Sequence, residues 1–335
     1  MKKILIIYTG GTIGMQHDQQ GVLKPFDFAR IKEQVPELKR LKCEIDHYQF
    51  KKLIDSSNVQ PSFWIDLAGI IEKKYTKYNG FVILHGTDTM AYSASALSFM
   101  IQNLKKPVIF TGSQLPLGAI RTDAKRNLIS TVEIASGDTI IPEVCIYFNS
   151  QLFRGNRTEK FTSSKFDAFQ SLNYPVLAET GVDIQYNNTY ILKPSNKKLL
   201  ISKKLDSNIG LLRLFPGITE QWVRNSLMMS GLKALVLETY GSGNAPTEKW
   251  FIKTLESAVK KGIVIVNISQ CSGGQVQQGK YETSYFLQRI GIVSGSDMTT
   301  EAALTKLMYL FGKGLSPGKV KQEFQQAVCG ELTSS

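Results

Sequence analysis

The sequence predicts an α/β protein of two domains: a larger N-terminal one on a mainly parallel sheet, then a smaller C-terminal α/β domain. Three observations carry this. Short β-branched runs without polar alternation, such as Ile4 to Tyr8, Phe81 to Leu84 and Ile263 to Ile268, read as strands buried on both faces. They alternate with segments of helical spacing, the order that builds a parallel sheet. Around Tyr186 to Leu205 the pattern weakens into polar residues near Pro194, which reads as a connection. The expected division is 1–190 and 209–335 with a linker over 191–208.

The elements follow in order. Ile4–Tyr8 is the first strand, ending in Thr9-Gly10-Gly11-Thr12-Ile13-Gly14. Phe26 to Leu38 is weakly helical, and Tyr48 to Ile54 reads as a strand followed by Asp55-Ser56-Ser57. Ser56 and Ser57 precede the amphipathic Trp64–Tyr75 segment and could cap it. Phe81–Leu84 leads into His85-Gly86-Thr87-Asp88-Thr89, and a helix then carries Met90, Ala94, Leu97, Ile101 and Leu104 on one face. Pro107–Thr111 and Glu143–Phe148 are strands, with a helix over Asp123–Ala135 between them. In the second half, Ile209–Leu214, Lys233–Thr239 and Ile263–Ile268 are strands and Glu248–Lys260 is a helix. Asp297 or Thr299 caps a helix that reaches Phe311, and a last helix covers Val320–Val328.

Composition narrows the function classes. Hydrophobic residues make up 42% and charged residues 20%, as in an ordinary globular protein. The net charge is +12, but the basic residues are scattered as doublets such as Lys51-Lys52 and Lys105-Lys106. A nucleic-acid footprint would be clustered, so no nucleic-acid partner is expected. The four cysteines form no C-x-x-C pair, and three histidines make a zinc site a poor expectation. The apolar run after Lys2-Lys3 is too short for a signal peptide, and no stretch is long enough to span a membrane. A cytoplasmic protein without a membrane partner is the expectation.

The stretch Thr9–Gly14 has three readings. It is a plain turn whose threonines bond their own backbone, a phosphate-binding turn, or the seat of a nucleophilic hydroxyl. It lacks the glycine pattern of dinucleotide folds and the Gly-Lys-Ser/Thr of a P-loop. Thr87 and Asp88 lie between a strand end and a helix N-terminus, where backbone N–H groups can stabilise an anion; Asp88 could equally be a cap. His85 suits a packed, hydrogen-bonded histidine, and Lys160 a surface lysine. With no G-x-S-x-G elbow at the end of a predicted strand, acyl transfer would need a threonine nucleophile. A lysine held by an aspartate would carry the proton.

Together these stretches identify a resemblance. Tyr8–Met15 (YTGGTIGM), Gly80–Tyr92 (GFVILHGTDTMAY), Arg154–Thr158 (RGNRT), Phe215–Ile218 and Gly241–Pro246 closely resemble the cytoplasmic (type I) bacterial L-asparaginases, along nearly the whole chain. The resemblance implies a flavodoxin-like C-terminal domain and hydrolysis of L-asparagine to L-aspartate and ammonia. Thr12 would be the nucleophile, forming a β-aspartyl ester, and Thr87, Asp88 and Lys160 would move protons. Asp55, Ser56 and Ser57 would hold the amino and carboxylate ends of the substrate, with Thr87 and Asp88 beside them. It implies a homodimer or homotetramer (a dimer of dimers) in which a neighbouring C-domain completes each site, Asn244 being the candidate contribution. No metal or organic cofactor is implied.

Two departures matter. Many relatives carry a tyrosine in the loop after the nucleophile, where this chain has Val22 and Leu23 after Gly21. Tyr309, on the Asp297–Phe311 helix and supplied by a partner subunit, is the expected substitute; packing on that helix is the other reading. Some relatives bind asparagine at a second, allosteric site. Its positions resemble Glu159, Glu238 and Cys271, the two glutamates standing for a threonine and an arginine. Loss of a cation that grips a carboxylate argues for hyperbolic kinetics. Use of glutamine as well, a related subunit of a tRNA-dependent amidotransferase, and a non-catalytic amino-acid sensor are the alternatives.

Overall fold

A computed structural model of the chain describes residues 1–17, 23–25, 30–280 and 282–333. The chain separates into two compact units, Met1–Lys203 and Lys204–Ser335. Within the stretch expected to link domains, Leu200–Ile201 is a short strand of unit 1 that pairs with Ile101–Gln102.

Unit 1 is organised by its first strand. β1 (Lys2–Tyr8) lies parallel between β2 (Cys43–Gln49) and β3 (Gly80–Leu84). β4 (Val108–Thr111) and β5 (Val144–Phe148) continue the parallel array. β6 (Gln151–Arg154), β9 (Ala178–Thr180) and β10 (Ile184–Tyr186) extend it antiparallel. Among the described residues this is one eight-stranded sheet, in the order β10-β9-β6-β5-β4-β3-β1-β2. Between β6 and β9, β7 (Glu159–Lys160) and β8 (Phe169–Gln170) form a separate two-stranded pair. The longer helices are α1 (Pro61–Lys74), α2 (Met90–Met100) and α3 (Ala124–Ser136).

Ile4, Ile6 and Tyr8 share one core cluster with Leu128, Val132 and Ala135 of α3. Each such aliphatic side chain stabilises the fold by about 1.5–3 kcal/mol on full burial. The five parallel strands run in the order β2-β1-β3-β4-β5, so the winding reverses between β1 and β3. Ligands of open α/β sheets bind beyond the strand carboxyl ends at such a reversal. Thr9 follows β1 and His85 follows β3 at that point.

Several boundaries differ from expectation. The second strand is Cys43–Gln49, not Tyr48–Ile54. β2 is the sheet edge, so most of its residues reach solvent around the buried Ile45 and it lacks the continuous apolar run of an inner strand. α1 begins at Pro61, so Ser56 and Ser57 do not cap it; they lie in a separate 3-10 turn, Ser56–Asn58. α2 stops at Met100, because Ile101 turns extended and pairs with Ile201. Of the expected Phe26–Leu38 helix, Ile31–Gln34 is helical and Pro36–Arg40 is a 3-10 turn, while residues 26–29 fall outside the description.

Unit 2 holds a parallel sheet of β11 (Ile209–Arg213), β12 (Ala234–Thr239), β13 (Val264–Ser269) and β14 (Val293–Ser294), in sequence order among the described residues. The 2-1-3-4-5 order typical of flavodoxins is seen in unit 1. The helices of unit 2 are α4 (Glu220–Leu227), α5 (Lys249–Lys260), α6 (Glu282–Arg289), α7 (Thr300–Gly312) and α8 (Pro317–Phe324). Thr299 caps α7 by accepting from Ala302 N at 3.1 Å. The last helix ends at Phe324 because the next carbonyls turn to another donor. The buried Lys306 ammonium donates to Phe324 O at 2.7 Å and Gln326 O at 2.6 Å, and pairs with Glu331.

Candidate active site

The segment after β1 is stitched to the end of β3. Thr9 N and Thr9 Oγ1 both donate to Leu84 O, at 3.1 and 2.8 Å. Gly10 and Gly11 then take φ of 135° and 87°. A Cβ on Gly10 would stand 2.2 Å from Ile54 O, and one on Gly11 would stand 2.5 Å from Gly86 N. The glycines therefore allow three backbone segments to close on one another, which larger residues forbid. Thr12 opens the 3-10 turn Thr12–Gly14 and is half-buried. The Tyr8 hydroxyl holds this turn by donating to Gly14 O at 3.0 Å. Gly11→Ala meets both the left-handed φ and the clash. It is expected to destabilise unit 1 by at least about 2 kcal/mol, read as a lower urea midpoint.

The segment after β3 is equally constrained. A Cβ on Gly86 would stand 2.5 Å from Ser56 Oγ, and Thr89 Oγ1 donates to Ser56 O at 2.7 Å. Lys160, on β7, reaches back 72 residues: its ammonium donates to Thr87 Oγ1 at 2.8 Å and to Asp88 Oδ1 at 2.5 Å. The Lys160 side chain is 16% exposed and that of Asp88 61%. Lys160 is thus no surface lysine, and Asp88 makes no cap of α2, whose N-cap is Thr89. Asp55 accepts from Ser57 N at 2.9 Å and Ser57 Oγ at 2.8 Å, and these bonds hold its carboxyl below the usual range. Ser56 turns inward, while Asp55 and Ser57 are exposed.

His85 is a packed histidine. Its Nδ1 lies 2.6 Å from Gly86 O and its Nε2 lies 3.0 Å from Ser93 Oγ, which also accepts from Trp64 Nε1 at 2.9 Å. A neutral ring with the proton on Nδ1 satisfies every partner. Burial lowers its pKa to about 4 from 6.5. On acidification the unfolded chain takes up a proton that the native His85 resists. This contribution is whole above about pH 6.5 and declines as pH falls toward 4, by up to about 3 kcal/mol. Urea midpoints at pH 7 and 4.5 should show that loss, and His85→Gln should reduce it.

The structure thus brings Thr12, Ser56, Thr87, Asp88 and Lys160 to one corner of unit 1, with Asp55 and Ser57 on its rim. Tyr309 and Asn244 lie in unit 2. Tyr309 is 2% exposed on α7. That burial fits the packing reading of Tyr309. Asn244 is half-buried and pairs with Tyr240 through backbone bonds of 2.8 and 2.9 Å. Val22, where relatives place a tyrosine nearby, is outside the described residues.

Sequence reasoning missed the residues that brace this corner. Asp123 opens α3 but does not cap it. It accepts from Gln114 N at 3.0 Å and Leu115 N at 3.1 Å, holding the loop after β4. Asn127 completes that brace by donating to Gly112 O at 3.0 Å. An aspartate before a helix reads as a cap, and nothing local distinguishes the two uses.

A model of the N-terminal asparaginase domain matches residues 3–192. The chain belongs to the asparaginase family. The glutaminase/asparaginase C-terminal domain matches residues 208–324. The chain is 43% identical to L-asparaginase 1 of Escherichia coli K12, over 99% of this chain and 98% of that protein. The crystal structure of L-asparaginase I from Vibrio cholerae superposes with a TM-score of 0.93 at 40% identity, covering 99% of each chain. The thermostable L-asparaginase of Thermococcus kodakarensis gives 0.93 at 30% identity, over 99% of this chain and 100% of that one. This asparaginase-family chain is an amidohydrolase, of a family marked by a threonine nucleophile. No helix among its described residues is long and apolar enough to cross a membrane.

Proposed function

We propose that the protein is a cytoplasmic L-asparaginase that hydrolyses L-asparagine to L-aspartate and ammonia. The observation that carries this reading is the Lys160 ammonium bonded to both Thr87 and Asp88, beside the glycine turn that presents Thr12. Thr12 Oγ attacks the side-chain carboxamide carbon and gives its proton to Thr87 Oγ1, whose own proton passes to Lys160 as the Lys160 ammonium gives one to the Asp88 carboxylate. Backbone N–H groups near Thr87 stabilise the oxyanion. The C–N bond breaks, the proton leaves with ammonia, and a β-aspartyl ester remains on Thr12. Water then attacks the ester, releasing aspartate and restoring the threonine. Asp55 and Asp88 face the substrate's α-amino group, and Ser56 and Ser57 its α-carboxylate. The working form is a homodimer or homotetramer, with Asn244 offered by a neighbouring subunit.

The test is ammonia release from L-asparagine and L-glutamine. Release from asparagine with one aspartate per ammonia is expected. Saturable asparagine binding without release would replace the reading by an amino-acid sensor. Glutamine differs by one methylene, a discrimination of only about 1–3 kcal/mol, so some glutaminase activity is compatible.

Turnover is expected to be hyperbolic. Glu238, one of the positions matching the relatives' allosteric site, is 6% exposed. Its carboxylate accepts from Thr300 Oγ1 at 2.6 Å and Arg213 Nη1 at 3.4 Å. A group so engaged, and anionic, repels a second carboxylate. A Hill coefficient clearly above one would refute this.

A further inference from the structure

The stretch Arg154–Thr158 plays no part in the chemistry above, yet it is almost wholly enclosed: Arg154 is 3% exposed and Arg157 2%. Arg154 Nε donates to Glu143 Oε2 at 2.6 Å and Nη2 to Oε1 at 3.2 Å, a two-pronged pair with both side chains buried. Arg154 Nη2 also donates to Tyr190 O at 2.8 Å, and Leu192 N donates to Glu143 Oε1 at 2.5 Å. The guanidinium carbons of Arg154 and Arg157 lie 4.2 and 5.0 Å from the centroid of the Tyr174 ring. Thr158 Oγ1 donates back to Arg154 O at 2.7 Å. A Cβ on Gly155 would stand 2.9 Å from that of Ala94, so this turn packs on α2. Lys160 follows the turn within two residues, and Asp88 precedes α2 by two. Both ends of the Lys160–Asp88 contact are therefore set against one helix.

We propose that the Arg154–Glu143 pair is a positioning device for Lys160, holding the 155–158 turn on α2 so that the ammonium meets Thr87 and Asp88. Stability alone does not call for such a pair, since well-packed apolar residues often serve a core as well as a buried ion pair. What the pair supplies is geometry: a planar fork on a carboxylate fixes direction as well as distance, which a lysine in its place does not. Lys160 has a long, flexible stem, and proton transfer needs it within hydrogen-bond reach. A rigid backbone mount confines that stem. The inference rests on the reading of Lys160 as part of the proton path.

The test is a double-mutant cycle on the purified full-length enzyme, using Arg154→Lys, Lys160→Met and both together. Arg154→Lys is expected to lower kcat for asparagine about 10- to 100-fold with little change in KM, and to shift the pH profile of kcat. In the Lys160→Met background the same change should lower kcat no further. Equal factors in both backgrounds would show that Arg154 acts by another route and overturn the inference. So would a folded Arg154→Lys enzyme with a lower melting temperature but wild-type kcat and pH profile. If Lys160→Met itself left kcat intact, the proton-path reading would fall and take this inference with it, a result distinct from the other two. Should Arg154→Lys not fold, Tyr174→Leu removes the ring beneath both guanidiniums, keeps the ion pair, and enters the same cycle.

Discussion

Thr12→Ala is expected to abolish ammonia release from L-asparagine, lowering kcat at least about 10³-fold while the protein folds as before. The side chain is half-buried at the start of a 3-10 turn whose shape is set by Gly10, Gly11 and the Tyr8–Gly14 bond. Removing one hydroxyl there leaves those constraints in place, so melting temperature and asparagine binding should change little. Steady-state ammonia release, paired with calorimetric binding, reads both quantities. A mutant that retained more than a tenth of the wild-type rate would show that the nucleophile lies elsewhere. Thr9 would not be the replacement, because the residue is 2% exposed and its hydroxyl already donates to Leu84 O.

Lys160→Met is expected to lower kcat by about 10²–10⁴-fold, the range for loss of a positioned acid–base group. The ammonium is the hub of the corner, bonded to Thr87 Oγ1 and Asp88 Oδ1. Methionine keeps the length of the stem and loses both bonds. Asp88 is mostly exposed, so its freed carboxylate stays hydrated and the stability loss should be small, as for other exposed pairs. A large fall in kcat with a nearly constant melting temperature separates a chemical role from a structural one. Unchanged kcat would remove Lys160, and with it the Thr87–Lys160–Asp88 chain, from the reaction.

The sequence by itself determined the fold class and the corner of the fold that matters. Continuous apolar runs announced β1, β3 and β5 because an inner parallel strand is buried on both faces. The glycines around Thr12 and Thr87 marked strand ends where backbones approach. Capping chemistry left Asp297 or Thr299 for the head of α7, and Thr299 is the cap. These are local properties, written in neighbouring residues. The edge strand β2 lies upstream of the expected Tyr48–Ile54 because its solvent-facing residues interrupt the apolar run.

Only the tertiary structure decided how distant segments meet. Lys160 read as a surface lysine on its own and became a partner of Thr87 only once β7 was placed beside α2. Asp123 and Asn127 grip the loop after β4, and Glu143 answers Arg154 across eleven residues. Tyr309, equally suited on paper to packing or to a partner's site, is enclosed in unit 2. Periodicity records which face of an element is buried, not which polar group will lie opposite. A hydrogen bond across many residues depends on the packing of whole elements and leaves no local trace in the chain.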